Sequence, residues 1–270
     1  MGNRCMFCGS GKPTREHVSG KWLKKYAGNF DSPAIKTAHT VSGSDGKPRP
    51  GFMDRPGSPL AQTSRVVCAG CNNGWMSRIE KAMERIFPSL LAGDTLAWTA
   101  GEWDVLERWV TLKLAIIARG CLEGETGAKA MQVRERAEGL WRQFATDQVG
   151  QHEVLVFRCR ELRHWGGHNH VYTALLEPNG RMHLHDVSCL VFGPLLLVCQ
   201  RRCCADRVPI MLRAASMGLV PATRTNAGLR GVVSRIDLTE ADRLLRSYSQ
   251  TPQDFRPIGF HPRDSSPRSG

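Results

Sequence analysis

Hydrophobic side chains recur every three or four residues in four stretches of the chain, a spacing that predicts helices. These helices are expected over residues 72–87, 103–118, 128–144 and 238–248. Asn72 or Asn73 is the expected N-cap of the first helix. The second is strongly apolar, with hydrophobic residues around most of its circumference.

Between residues 152 and 199 the pattern changes to short runs of β-branched and aliphatic residues, which predicts strands. The expected strands are residues 153–159, 171–176, 182–187 and 190–199. Asn179-Gly180 lies between the second and third runs and is a dipeptide typical of tight hairpin turns. This part of the chain therefore predicts an antiparallel sheet.

The order of these elements predicts an α+β protein with two domains. Residues 1–93 are expected to form an N-terminal module, in which residues 28–62, rich in Gly, Pro, Ser and Thr, form a loop-rich insert. Residues 94–250 are expected to form an α+β domain around the antiparallel sheet, and its role is not evident from its sequence. Residues 251–270 are rich in Pro, Arg and Ser, which predicts a disordered tail.

Composition and charge narrow the classes of protein to which this chain can belong. The longest apolar run, residues 190–199, is too short to span a bilayer, and no apolar leader precedes Cys5, so we expect a cytoplasmic protein without a membrane partner. The formal net charge is +12, and the first 100 residues contain twice as many Lys and Arg as Asp and Glu. A basic surface favours polyanions such as nucleic acids, although charge that serves solubility is an alternative.

The cysteines carry the strongest chemical signal. Cys5-Met6-Phe7-Cys8 and Cys68-Ala69-Gly70-Cys71 are two C-x-x-C units in a chain expected to face a reducing compartment. Two thiolates from each unit complete the tetrahedral shell that structural zinc prefers. We therefore predict a Zn²⁺ site at Cys5, Cys8, Cys68 and Cys71 that closes the loop-rich insert.

Four histidines in the expected strands present a second, weaker metal hypothesis. His168 and His170 alternate along one strand, and His183 and His185 alternate along the next. Their imidazoles would gather in one patch if the two strands are hairpin partners. Half-exposed strand histidines without a metal are the favoured interpretation, because no acidic partner lies at a clear spacing.

The residues around the cysteine pairs resemble those of a nuclease family. The segment Thr14-Arg15-Glu16-His17-Val18 lies between the pairs, and Asn72-Asn73-Gly74-Trp75 follows the second pair directly. Together with Trp22-Leu23 and Trp75-Met76, this pattern resembles the zinc-bearing, treble-clef HNH endonucleases and the phage junction-resolving endonucleases. The resemblance covers about residues 4–87. It implies a zinc-bound ββα-metal module, in which a hairpin carrying an acidic residue and a His precedes a helix.

The resemblance also implies roles for individual residues. His17 is expected to be the general base, while Glu16 and Asn72 hold a catalytic Mg²⁺ or Mn²⁺, with Asn73 replacing Asn72 if the register shifts by one. These residue types suit phosphodiester hydrolysis, since an imidazole titrates near neutral pH and Mg²⁺ prefers oxygen ligands. The basic residues nearby are expected either to contact phosphates or to form a solvated face; they are Arg15, Lys21, Lys24 and Lys25.

Two departures from the family pattern keep a second function open. Many members carry Asp where Glu16 stands, and Thr63 occupies the place of the family's middle Asn. The leading prediction is a metal-dependent endonuclease that hydrolyses phosphodiester bonds in DNA, and a homodimer would allow it to cut both strands. The alternatives are a catalytically inactive, zinc-stabilised nucleic-acid-binding protein and an RNA-directed nuclease.

Overall fold

The computed structural model describes most of the predicted elements. It covers residues 4–27, 59–92, 98–121, 152–159, 165–176 and 182–201, and short strands at 36–37, 40–42, 48–50, 55–56 and 235–236. The helices predicted over residues 128–144 and 238–248 and the tail at 251–270 lie outside the described residues. What is described combines helices with antiparallel sheets, which confirms the predicted class at that level.

The N-terminal part is built on an antiparallel strand pair. Strand β1 is Pro13–His17 and strand β6 is Thr63–Cys68, and their register places Pro13 opposite Cys68 and His17 opposite Thr63. A bulge between Thr14 and Glu16 interrupts the ladder, so that Arg15 is exposed while Glu16 is buried. A 3₁₀ turn at Lys21–Leu23 and the short helix α1, Lys24–Ala27, follow β1.

The insert between β1 and β6 contains two nested pairs of short strands. Strand β2 (Lys36–Thr37) pairs with β5 (Arg55–Pro56), and β3 (Thr40–Ser42) pairs with β4 (Pro48–Pro50), both antiparallel. A 3₁₀ turn at Pro59–Ala61 leads into β6. The chain thus leaves the end of β1 and returns to the adjacent start of β6.

The helical segment after β6 begins earlier than the sequence pattern predicted. Helix α2 is Ala69–Cys71, and its N-cap is Cys68, whose sulfur accepts a hydrogen bond from the Cys71 N–H at 3.5 Å. The prediction of Asn72 or Asn73 as the N-cap was wrong, since Asn72 already has helical dihedral angles (φ −60°, ψ −53°).

A widened turn joins α2 to the long helix that follows. The turn spans Asn72–Met76 and is kinked at Gly74 (φ −88°, ψ −113°). Helix α3 then runs over Ser77–Ala92 and contains Pro88. Such widened turns within helices often occur at functional sites, and this one begins at a predicted metal ligand.

Helix α4, Ala100–Cys121, confirms the apolar helix predicted over residues 103–118 and extends it at both ends. Its start is capped reciprocally: Thr99 Oγ1 accepts from the Glu102 N–H at 3.3 Å, and Glu102 Oε2 accepts from the Thr99 N–H at 2.7 Å. Trp103 and Trp109 are fully buried, as is the side chain of Lys113. This helix therefore carries a charged residue into the core.

The larger sheet has five strands in the order β11-β7-β10-β9-β8. Their bounds are β7 His152–Cys159, β8 Trp165–Leu176, β9 Met182–Phe192, β10 Leu195–Arg201 and β11 Arg235–Ile236. Strands β7 to β10 pair antiparallel and β11 pairs parallel with β7. The pairing of Leu176 with Met182 confirms the predicted hairpin, although Asn179-Gly180 lies outside the described residues.

Residues 190–199 do not form one strand, as the sequence pattern predicted. Strand β9 ends at Phe192, the chain turns at Gly193 and Pro194, and β10 starts at Leu195. Gly193 has φ +55°, a conformation that glycine adopts without steric cost. Because both strands are buried here, the apolar run continues through the hairpin and hides the turn.

The strand register also bears on the four histidines. His168 and His170 pair with Leu190 and Ser188, whereas His183 and His185 pair with Leu175 and Thr173. In the described strands, no histidine of one pair stands opposite a histidine of the other. The two pairs therefore lie at different positions along the β8–β9 hairpin.

Among the described residues, two groups of buried side chains form the core. The larger packs α3 and α4 against strands β7, β9 and β10, and it continues across the predicted domain boundary at residues 93 and 94. The smaller contains three of the four predicted zinc ligands, Cys5, Cys68 and Cys71, together with Met6, Phe7, Met76 and residues of β6 and α4. Among the described helices, none has the length and apolar composition needed to cross a membrane.

Arg158 joins the larger sheet to the end of α3. It is buried in β7, and its guanidinium donates to the main-chain carbonyls of Leu90 and Leu91 at 2.8 Å each. These carbonyls belong to the last turn of α3, where the helix has no N–H donors of its own for them. The Arg158 side chain therefore caps α3 from outside.

We expect Arg158→Met to lower the free energy of unfolding by about 1.5–3 kcal/mol, since charge-assisted hydrogen bonds to buried carbonyls are lost. Urea unfolding followed by circular dichroism measures this change. Arg85→Met, at an exposed position of α3, is the matched control and should leave the midpoint almost unchanged. Equal midpoints for the two variants would contradict the capping role.

Candidate metal centre

The first cysteine pair lies on a tight turn before β1. The Gly9 N–H donates to the Cys5 carbonyl at 3.0 Å and the Cys5 N–H donates to the Gly11 carbonyl at 3.2 Å, which closes the turn. Gly9 and Gly11 both have positive φ, +68° and +76°. A Cβ on Gly11 would also lie 3.0 Å from Cys68 Cβ, so glycine is needed for this close approach.

The second pair spans the junction of β6 and α2, with Cys68 at the end of the strand and Cys71 in the first helical turn. The four sulfur atoms of Cys5, Cys8, Cys68 and Cys71 lie within 4.8 Å of one another. Cys8 Sγ and Cys68 Sγ are 3.6 Å apart. Four sulfurs bound to one zinc ion lie about 3.8 Å apart. The cluster therefore fits a metal ion such as zinc, and this confirms that the four cysteines come together.

The thiols of this cluster differ in their environment. Burial raises the pKa of the Cys71 thiol to about 12, while hydrogen bonds with the Ser10 side chain and backbone lower the pKa of the exposed Cys8 thiol to about 6. A buried thiol with so high a pKa loses its proton when a bound metal cation stabilises the thiolate. The donor set thus suits an ion that binds thiolates strongly.

Aromatic and thioether side chains pack beside the cysteines. Phe7 meets the Trp75 ring edge-on, with centroids 5.0 Å apart, and Met76 is buried in the same group. Trp75 and Met76 therefore pack around the cysteine cluster. Trp22 packs in the larger core instead, against Phe87 at 4.9 Å between centroids.

Glu16 and Asn72 are brought together beside this framework. Glu16 follows the bulge of β1 and is 9% exposed, and the Asn72 side chain lies near its carboxyl group. Burial raises the pKa of Glu16, although the nearby Lys113 ammonium and the Asn72 side chain oppose the shift. Asn73, the alternative ligand, is exposed. The register of the helix thus favours Asn72 as the partner of Glu16.

His17 is the last residue of β1 and is partly buried. Its Nδ1 atom is buried and has no hydrogen-bond partner among the described residues. Burial lowers the pKa of His17, and the charges of Lys21, Lys24 and Lys113 lower it further. These effects favour a neutral imidazole, which is the form that accepts a proton. Thr63 stands opposite His17 in the strand pair.

The four basic residues predicted to contact phosphates divide into two kinds. Arg15, Lys21 and Lys24 are exposed, and the charges of the two lysines act on His17. Lys25 forms an ion pair with Glu84 at 2.8 Å and lies over the Tyr26 ring. Its ammonium already has an acidic partner, which competes with a phosphate contact.

A buried polar group next to this site was not predicted. Lys113 of α4 forms an ion pair with Glu80 of α3, and Glu80 Oε2 accepts hydrogen bonds from the indole N–H groups of Trp22 at 2.7 Å and Trp109 at 3.1 Å. The available sequence signal was a lysine inside a helix that is otherwise apolar on almost every side. Such a residue is rarely buried unless it is paired.

Comparison of the chain with protein-family models, with curated proteins and with solved structures finds no match. The function is therefore argued from the site itself.

Proposed function

We propose that this protein is a metal-dependent endonuclease of the HNH type that hydrolyses phosphodiester bonds in DNA. The observation that carries the proposal is that Glu16 and Asn72 lie close together beside His17, next to four clustered cysteines. The β1–β6 pair followed by a helix is compatible with the ββα-metal, treble-clef arrangement that we propose for this part of the chain. Each element of it contributes a residue to the proposed chemistry.

In this proposal, the cysteine cluster holds a structural Zn²⁺ that joins the turn before β1 to the start of α2. Glu16 comes from one of these elements and Asn72 from the segment directly after the other. Zinc binding thus fixes two oxygen-bearing side chains relative to each other, since structural zinc contributes directly to folding.

His17 takes the proton from the attacking water, and its low pKa keeps the imidazole neutral for this task. The Glu16 carboxylate and the Asn72 amide oxygen would hold Mg²⁺ or Mn²⁺, which prefer such ligands. When bound, the ion supplies charge stabilisation for the phosphate and the leaving oxygen. Arg15, Lys21 and Lys24 would contact flanking phosphates without reading the base sequence.

The adjacent asparagines provide a matched test. We expect Asn72→Ala to reduce plasmid cleavage by about 10- to 100-fold, because the partner of Glu16 at the metal is lost. Asn73→Ala changes the same residue type one position later, where the side chain is exposed, and should stay within about twofold of wild type. Nicking and linearisation of supercoiled plasmid are measured with Mg²⁺ or Mn²⁺, at equal zinc content.

The assay also separates the rival functions. Equal loss in both asparagine variants would contradict the assignment of Asn72. If wild-type protein cuts RNA but not DNA, the substrate assignment is wrong. If it binds DNA and cuts no supercoiled, branched or single-stranded DNA and no RNA, the chain is a zinc-stabilised binding protein.

A further inference from the structure

Lys113 is a buried charge outside the segment that carries the other proposed active-site residues. Its side chain is 1% exposed, and its ammonium is paired with Glu80. The ammonium also lies 3.5 Å from the main-chain carbonyl oxygen of His17, at the end of β1. Its charge acts on both Glu16 and His17. Helix α4 thus brings a cation to the strand end from which both of these side chains project.

The position of this ammonium is determined by its partner. Glu80 is held by the two indole N–H groups of Trp22 and Trp109, which come from the turn after β1 and from α4. Gly20 leaves the space that this arrangement needs, since a Cβ there would overlap the Trp22 indole and lie 2.5 Å from Glu80 Oε2. The network therefore ties β1, α3 and α4 together around one cation.

Stability alone is a weak reason for such a pair. Burying two charges costs several kcal/mol in desolvation, on the order of what their attraction returns, and apolar residues of similar size often serve as well. A buried pair aimed at the end of β1 has a second use. It fixes the backbone that carries Glu16 and His17.

We propose that Lys113 is a positioning residue of the active site, which holds the end of β1 and thereby orients Glu16 and His17 for metal binding and proton transfer. The inference rests on the proposed nuclease function. The competing explanation is that Lys113 only neutralises Glu80. Both explanations predict damage from Lys113→Met alone, because that change leaves a buried carboxylate unpaired.

The double variant Glu80→Gln/Lys113→Met separates them. It removes both charges, leaves the net charge unchanged and keeps an oxygen that accepts from the two indoles. If Lys113 positions the site, kcat for plasmid cleavage falls by about 10- to 100-fold while the Kd for DNA stays within about twofold. If Lys113 only neutralises Glu80, the double variant cleaves like wild type, and the inference is wrong. Zinc content and Tm establish that the double variant folds, and Lys81→Met is the exposed control.

A second measurement keeps this test independent of cleavage. Mn²⁺ affinity, measured by electron paramagnetic resonance without DNA, should be about tenfold weaker in the double variant than in wild type. If wild type binds Mn²⁺ but cuts nothing, the nuclease proposal fails and the Mn²⁺ affinities alone decide the role of Lys113. Equal affinities would overturn the positioning role, and absence of Mn²⁺ binding by wild type would overturn both proposals.

Discussion

Replacing Cys68 by Ala is expected to release the zinc ion and unfold the N-terminal segment that contains β1 and β6. Cys68 has two roles in this segment, because its sulfur is a proposed zinc ligand and also caps the N-terminus of α2. The free energy of structural zinc binding in small modules is on the order of 10 kcal/mol, comparable with the stability of a whole domain. We therefore expect this segment to lose its folded structure completely.

The unfolding should stop at the boundary between the two buried groups. The smaller group is built around Cys5, Cys68 and Cys71 and contains fewer buried residues than the larger group, so it depends more on a bound ion. The larger group joins α3, α4 and three strands of the sheet and contains no proposed zinc ligand. Hydrogen exchange should therefore become fast in residues 4–17 and 63–68 while β7, β9 and β10 stay protected.

Cys199→Ala is the matched control, since Cys199 is also buried but lies in β10, away from the cluster. Zinc is measured by mass spectrometry of the intact protein under native conditions and by atomic absorption. One zinc per chain is expected in wild type and Cys199→Ala, and none in Cys68→Ala. A Cys68→Ala protein that keeps its zinc and its exchange protection would show that the cluster is not a structural zinc site.

The cysteine site was predictable from sequence because its chemistry depends on local spacing. Two residues between cysteines allow both sulfurs of a pair to reach one ion, whatever the rest of the fold. The contact of Glu16 with Asn72 was expected from a family resemblance instead, and no local rule connects these two residues. The choice between Asn72 and Asn73 as the metal ligand depended on where the helical segment begins. It begins at Ala69, and Asn73 is exposed.

The features that sequence reasoning missed depend on contacts between distant segments. Lys113 could be recognised as unusual in an apolar helix, but its partner Glu80 and the two indoles come from other parts of the chain. The turn at Gly193 lies between two buried strands, and its sequence signal is the Gly193-Pro194 dipeptide rather than a polar residue. Hydrophobic periodicity reports burial, and it loses the boundary where neighbouring elements are all buried.

His17→Ala is expected to reduce cleavage by about 10²- to 10⁴-fold, the usual contribution of a general base. An imidazole ordinarily titrates near neutral pH, so it can accept a proton from water and release it again. His17→Gln is the more informative variant, because glutamine has similar size and polar atoms but does not take up a proton near neutral pH. Both variants should lose cleavage while keeping zinc and DNA affinity, and His170→Ala in β8 is the control.

The pH dependence of wild-type cleavage tests the same role. Protonated His17 cannot act as a base, so the rate should fall as the pH drops through its pKa and level off above it. Burial and the charges of Lys21, Lys24 and Lys113 lower this pKa, so the midpoint of the fall should lie below the ordinary imidazole value of 6.5. His17→Gln should retain a slow rate without this acid limb. If the limb persists in His17→Gln, the group that titrates is not His17, and Glu16, whose pKa is raised by burial, is the next group to test.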